Sequence, residues 1–261
     1  MANIRETDAI IYVLRCFEDG DITHVEGSVD PIRDSEIIET ELLLADLESI
    51  DKQLTNAARK AKSGDAELKA QVAFMSDIKK LLEDGQPARK VDVPDDMAEF
   101  STQMGLMTMK PVLYVCNVSE DDAAEGNEWS VKVAEMAKLK EANSVVICAA
   151  IESEIAQLET DEEKTEFLSD IGLDEPGLNK IIRSGFDLLS LQTYFTAGPK
   201  ETRAWTIHKG DSAPQAAGVI HTDFQRGFIK AEVIAFDDYV ACNGEQGAKE
   251  TGKMRQEGKD Y

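Results

Sequence analysis

Two short segments carry residue types suited to holding a purine. Asn117-Val118-Ser119-Glu120 and Cys148-Ala149-Ala150-Ile151-Glu152 each close an apolar run, Val112–Cys116 and Val145–Ala149. An Asn amide presents donor and acceptor together, the pair that matches a purine's N7/N6 edge. Small side chains in the second segment let backbone amides approach a base closely. Asn117 has a second possible use, which is to tie the strand end to a neighbouring loop. In an open α/β sheet, ligands bind outside the carboxyl ends of the strands. If the two runs are neighbouring strands, their ends face one crevice.

The elements that would position those segments follow from hydrophobic pattern. Ala9–Leu14, Val112–Cys116 and Val145–Ala149 are continuous rather than alternating apolar runs, the signature of parallel strands buried on both faces. A helical stretch, Glu128–Glu141, precedes the third run. Strand and helix alternate as in a doubly wound α/β sheet. Between the first two strands lies a segment of different period. Leu43, Leu47, Ile50, Leu54, Ala57 and Ala61 step by fours and threes, the spacing of a coiled-coil seam. Ser63-Gly64-Asp65 reads as a turn with Asp65 capping a second helix, whose apolar face is Leu68, Val72, Met75 and Leu82. So short a turn makes the helices antiparallel. Beyond Ser190, AWTI, GVIHTDF, FIKAEVIAF and YVAC read as short strands of a smaller β-containing domain.

Composition narrows the function classes. The 261 residues hold 28 Lys+Arg against 51 Asp+Glu, a net charge of −23, which disfavours loose attraction to nucleic acid or anionic lipid. The charge is unequal: Met1–Ser190 has 19 basic and 41 acidic residues, while Leu191–Tyr261 has 9 and 10. That step predicts a domain boundary near Ser190. Cys16, Cys116, Cys148 and Cys242 are far apart, and the first three sit in apolar runs, so they are expected as small buried hydrophobes rather than zinc ligands or disulfides. No apolar run reaches the roughly 18 residues that would span a bilayer. The expectation is a soluble, cytoplasmic protein with no membrane contact.

Longer motifs add a resemblance. N-x-x-E after one strand and a small-residue loop after the next resemble the fourth and fifth nucleotide motifs of translation-factor-like P-loop NTPases. Asn3-Ile4-Arg5-Glu6-Thr7-Asp8-Ala9 and Arg15-Cys16-Phe17-Glu18 resemble the Obg-related YchF subfamily, the Obg-like ATPases. Closer still are Leu191–Gly198, Arg203-Ala204-Trp205-Thr206, Ala213–Gly218 and Ile220–Phe224. The resemblance runs essentially from end to end. It implies a partial G-type domain with a parallel sheet (residues 1–34 and 110–190), an inserted α-helical coiled-coil hairpin (35–109), and a TGS domain with a ubiquitin-like β-grasp (191–261). It also implies an ATPase of the cytoplasm that acts with the ribosome, its large subunit in particular, and with RNA. ATP is the implied cofactor, with Mg²⁺ for the intact family protein. Guanine-specific relatives use N-K-x-D, whose carboxylate accepts from guanine's N1 and N2 protons. Here Val118 replaces the Lys and Glu120 the Asp, which implies adenine preference. Asn117, Val118, Ser119 and Glu120 would hold the base, with Cys148, Ala149 and Ala150 closing one side.

The phosphate half is not legible. A P-loop reads G-x-x-x-x-G-K-[ST], its amides and Lys cradling phosphates and its hydroxyl holding Mg²⁺. Gly247–Lys253 fits that pattern until Met254, which has no hydroxyl, and Glu250 would point negative charge into the loop. The family resemblance places a P-loop and switch regions before this sequence and a further short strand after it, so the chain is expected to be truncated at both ends and to hydrolyse no ATP alone. A non-catalytic ribosome- or RNA-binding module is the rival reading. It would act through the hairpin and the C-terminal domain, where Lys200, Arg203, His208, Lys209, Arg226 and Lys230 could touch phosphates.

Overall fold

A computed structural model describes residues 2–20, 27–62 and 65–261, and these form two compact units, Met1–Leu189 and Ser190–Tyr261. The first unit runs α1 (Ala2–Arg5), β1 (Ile10–Arg15), α2 (Pro31–Ala61), α3 (Ala66–Glu83), α4 (Ala98–Gln103), β2 (Val112–Asn117), α5 (Glu128–Leu139), β3 (Asn143–Ile147), α6 (Ala149–Ile155), α7 (Asp161–Asp170) and α8 (Gly177–Leu188). The strands form a parallel sheet in the order β1-β2-β3. The third strand starts and stops two residues earlier than its apolar run suggests. Cys148 is extended and caps α6, so Ala149 opens a helix rather than ending a strand. The fold is thus a mixed α/β architecture built on a parallel sheet.

Both faces of β2 are covered. On one, Tyr12, Leu14, Tyr114 and Cys116 pack with Leu42 of α2 and Val133 and Ala137 of α5. The rings of Tyr12 and Tyr114 stack at 5.3 Å. On the other, Leu113, Val115 and Val145 lie against Ile181 and Leu188 of α8. The first strand departs from the expectation of burial on both faces. Ile11 and Val13 are 47% and 66% exposed because α8 lies on β2 and β3 and stops short of β1.

The two long helices pack on the expected seam. Ile50 is fully buried among Phe74, Met75, Ile78 and Leu82, flanked by Leu43, Leu47, Leu54, Ala57 and Val72. The Lys79 ammonium lies 2.5 Å from Asp51 across the seam, and that bond holds its pKa above the ordinary lysine value. Asp65 caps α3 through the amides of Glu67 and Leu68, at 2.9 and 3.4 Å. The Ser63-Gly64 turn itself lies outside the described residues. Asp30 caps α2 and Pro31 opens it, so the helix starts before residue 35. Its first turns, with Ser35 and Leu42 buried, cover the sheet, and a boundary at 34/35 would cut one continuous helix. Where α2 leaves the sheet, fully buried Asp46 accepts from the Met107 and Thr108 amides (3.0 and 2.6 Å) and from the Thr108 hydroxyl (2.8 Å). Glu39 pairs with Arg89 at 3.1 Å and with Lys140.

The second unit begins with an antiparallel pair, β4 (Leu191–Ala197) and β5 (Thr202–His208), with Tyr194 opposite Trp205. Then come α9 (Ala213–Ile220), α10 (Thr222–Arg226), β6 (Ala231–Val233), α11 (Phe236–Ala241), α12 (Glu245–Glu250) and β7 (Arg255–Glu257), the last pairing antiparallel with β6. Three of the four expected strands need correction. GVIHTDF is helical on either side of an extended His221, because Ser212 and Gln215 form a capping box on α9, where Pro214 lies in the first turn, and the His221 side chain caps α10. YVAC belongs to α11, whose first turn carries Asp237 and Asp238. FIKAEVIAF contributes only three strand residues. Short apolar runs do not distinguish strand from helix; capping residues at α9 and α10 and first-turn acids at α11 favoured helix here. Among the described residues no helix is long and apolar enough to cross a membrane.

Candidate functional site

The two sequence segments meet at the carboxyl ends of β2 and β3. Asn117 pairs in register with Ile147, and the Val118 amide donates to the Ile147 carbonyl at 2.9 Å, carrying the ladder one step past the strand. Asn117 Oδ1 accepts from the Ala149 amide at 2.9 Å. A backbone N–H can only donate, so this bond fixes the side-chain amide with its oxygen on Ala149. Its Nδ2 donor has no protein partner among the described residues. Of the two uses open to Asn117, tying the strand end to the loop is the one made inside the protein, and it leaves a donor suited to a purine N7.

The other expected residues divide into backbone and surface. The Val118 side chain is buried in the sheet core, so only its main chain is available at the crevice. Cys148 is buried with Ala123, Ile151, Ile155 and Leu168, while Ala149 and Ala150 are exposed. The Ser119 hydroxyl donates to Asp122 at 2.8 Å. Glu120 is exposed at the start of a 3-10 turn, Glu120–Asp122, and none of its hydrogen bonds reaches Asn117 or Ala149. Asn117, Val118 and Ala149 are therefore brought together directly. Ser119 turns to its own loop, and Glu120 stands apart.

A polar brace not anticipated from sequence holds the first loop. The Asn127 side chain donates to the Cys16 carbonyl and to Asp122, each at 2.8 Å, and accepts from the Trp129 and Ser130 amides at 3.1 Å. Both ends of that amide are used. Hydrogen bonds from Asn127 and Ser119 hold the Asp122 carboxyl below its ordinary value. Gly126 has φ +77°, and a Cβ there would lie 2.5 Å from Ser130 Oγ, so the turn into α5 requires glycine. The signal was the N-x-x-S pattern of Asn127 and Ser130 ahead of a periodic helix. Beneath the crevice, Cys16 and Cys116 are fully buried, and the neighbouring Cys116 thiol, together with burial, pushes the Cys16 thiol up, so it serves as packing.

The P-loop lookalike makes no phosphate cradle. Gly247 lies inside α12, where a Cβ would sit 1.9 Å from the Cys242 carbonyl oxygen, so close helix packing explains that glycine. Lys253 pairs with Asp238 at 3.1 Å. The six basic residues singled out in the second unit are all exposed, with the Arg203 guanidinium 4.1 Å from the Trp205 ring centre and Lys230 bonded to Gln256.

Comparison with known proteins gives one consistent answer. Residues 191–261 match the family YchF-GTPase_C, described as a protein of unknown function (DUF933). The whole chain is 52% identical over 261 residues to the ribosome-binding ATPase YchF of Haemophilus influenzae, covering 71% of that protein. It is 48% identical over 263 residues to the protein of the same name from Bacillus subtilis, covering 72% of it. Obg-like ATPase 1 of Rattus norvegicus is 42% identical over 267 residues, with 67% of its length covered. The structure of the Schizosaccharomyces pombe YchF GTPase superposes with a TM-score of 0.84 at 36% identity, over all of this chain and 71% of that one. The mixed α/β fold with its parallel sheet is thus shared with a solved YchF structure, the sequence is related along the full chain, and this chain belongs to the YchF/Obg-like ATPase family.

Proposed function

We infer that the chain is part of an ATP-binding and ATP-hydrolysing P-loop NTPase that works with the ribosome, and that its share of the nucleotide site is the base cradle. The observation that carries this reading is the bond from the Ala149 amide to Asn117 Oδ1, which joins the two loops and leaves Nδ2 for a purine N7. Exposed Ala149 and Ala150 leave room for a flat ring beside it. Ser119 and Glu120 form the outer rim, and buried Cys148 supports the loop from below.

Adenine is the preferred base on chemical grounds. A guanine reader needs a carboxylate accepting from N1–H and N2–H₂, bonds to a charged group worth about 1.5–3 kcal/mol each. Glu120, at the position of that carboxylate, is held on an exposed turn and makes no bond to Asn117 or Ala149, so it does not supply it. Adenine's N1 is itself an acceptor and would be repelled by such a carboxylate. ATP supplies the phosphoryl group that is transferred, and this chain's residues only bind and orient its base. Among the described residues no group of three His, Cys, Asp or Glu is placed to hold a metal ion. No residue of this chain is assigned to the phosphates or to Mg²⁺, and the chain alone is expected to bind ATP weakly and to hydrolyse none.

The second unit is read as a TGS domain. Its β4–β5 and β6–β7 pairs are each two-stranded, and such pairs are marginal alone, so a further strand joining them would complete a β-grasp. A second reading, a non-catalytic ribosome- or RNA-binding module in the cytoplasm, is favoured by the near-neutral charge of residues 191–261 beside the acidic remainder. Calorimetry with the purified chain tests the first reading. Weak binding of ATP with none of GTP is expected, and tight GTP binding with ATP excluded would overturn it. Co-sedimentation with ribosomes separates the second. Pelleting that survives Asn117→Ala supports a module independent of nucleotide, and loss of pelleting supports nucleotide control.

A further inference from the structure

The loop that carries Ala149 opens a helix that should not stand alone. Helix α6 has seven residues, and its capping residue, Cys148, makes no side-chain cap. A helix so short is unstable without outside contacts. Ile151 and Ile155 anchor its buried side. On the far side, Glu152 reaches across to α8. Its Oε1 accepts from the Gly177 amide at 2.6 Å and its Oε2 from the Leu178 amide at 3.0 Å. Pro176, which precedes α8, supplies no side-chain cap, so this carboxylate takes two of the orphan N–H groups at the start of that helix. A negative charge there also suits the helix dipole.

Gly177 is fitted to this approach. A Cβ on it would lie 2.7 Å from Ile147 Cγ2 and 3.0 Å from Glu152 Oε1. The bare backbone therefore lets the carboxylate close on α8 while Ile147, at the end of β3, packs beside it. Helix α8 is fixed in turn by Ile181 and Leu188 against Leu113, Val115 and Val145. A continuous chain of contacts runs from the sheet through α8 and Glu152 to the first turn of α6.

We propose that Glu152 is a positioning residue for base binding, setting the orientation of Ala149 and Ala150 so that the Ala149 amide meets Asn117. This rests on the base-cradle reading above. The test uses the 261-residue chain, with adenosine as probe, and follows the Ala149 amide by hydrogen exchange. Glu152→Ala should speed exchange at Ala149 and weaken adenosine binding about tenfold, the scale of one lost hydrogen bond to a charged group. Glu152→Gln keeps one acceptor and should restore part of both, and it remains informative if Glu152→Ala does not fold. Glu154→Ala, an exposed glutamate on the same helix, should change neither. In an Asn117→Ala background Glu152→Ala should weaken adenosine no further, because both act through the same amide. A cap that served α8 alone would leave Ala149 exchange unmoved or would add fully to Asn117→Ala, and either result overturns the proposal. A wild-type chain that binds no adenosine overturns the cradle reading itself, while Ala149 exchange still decides whether Glu152 fixes the loop.

Discussion

Met1–Leu189 encloses Ile50, Ile78, Leu113, Val115 and Val133 without exposure and buries Asp46 on three hydrogen bonds. In Ser190–Tyr261 only Ile207 and Ala248 are buried, while the tilted rings of Phe195 and Phe236 lie 5.5 Å apart yet stay 54% and 62% exposed. The first unit is organised around a closed interior, and its candidate site hangs from the ends of core strands. The second is organised around turns, caps and short pairings. A site that must hold a flat base within a fraction of an ångström belongs on the first kind of scaffold. A surface that adapts to a partner can be built on the second.

The contrast can be broken unit by unit, because Trp129 lies in the first and Trp205 in the second, and replacing either by Phe leaves the other to report its own unit's unfolding. The largest effect is expected from Asp46→Ala, which strands two buried amides and the Thr108 hydroxyl. Urea unfolding followed at Trp129 should lose about 4 kcal/mol, with Trp205 unmoved. Next is Leu113→Ala, a fully buried side chain between sheet and α8, at about 3 kcal/mol in the same measurement. Ile207→Ala in the second unit should cost less, about 2 kcal/mol at Trp205, because a loose surround collapses more easily. Equal losses for Leu113 and Ile207 would erase the distinction. Phe195→Ser should shift Trp205 unfolding by less than about 0.5 kcal/mol.

The smallest effect is a pH dependence. The Asp122 carboxyl is held below its ordinary 3.8 by Asn127 and Ser119. A depressed folded value means its contribution is complete above about pH 4 and fades as pH falls through that lower value. Amide shifts of Ser119 and Asn127 should report a midpoint below 3.8, abolished in Asp122→Asn. A midpoint at or above the ordinary value would remove the brace from the account.

Much of the first unit was legible because its signals are local and periodic. The apolar runs of β2 and β3 and the four-three stepping of Leu43 to Ala57 depend on nothing distant. Asn117 and the Ala149 loop were legible as a pair because both follow strands. Asp46 and Glu39 were not, since their partners Thr108, Arg89 and Lys140 lie far away in sequence. Phe74 and Ile78 belong to the seam as firmly as Met75 and Leu82, yet the stepping read from Leu68 passed over them. The exposure of Ile11 and Val13 depends on where α8 lies, which no property of β1 encodes. In the second unit Ser212, Gln215 and Asp237 outweighed the β-rich look of their neighbours.

The central claim is that two adjoining strand ends form an adenine-reading cradle. Its most direct test follows the backbone amide resonances of Val118 and Ala149 as ATP and GTP are added in turn. Both resonances should move with ATP and stay still with GTP, and the movement should vanish in Asn117→Ala. Resonances that ignore ATP, or that follow GTP instead, would contradict the assignment.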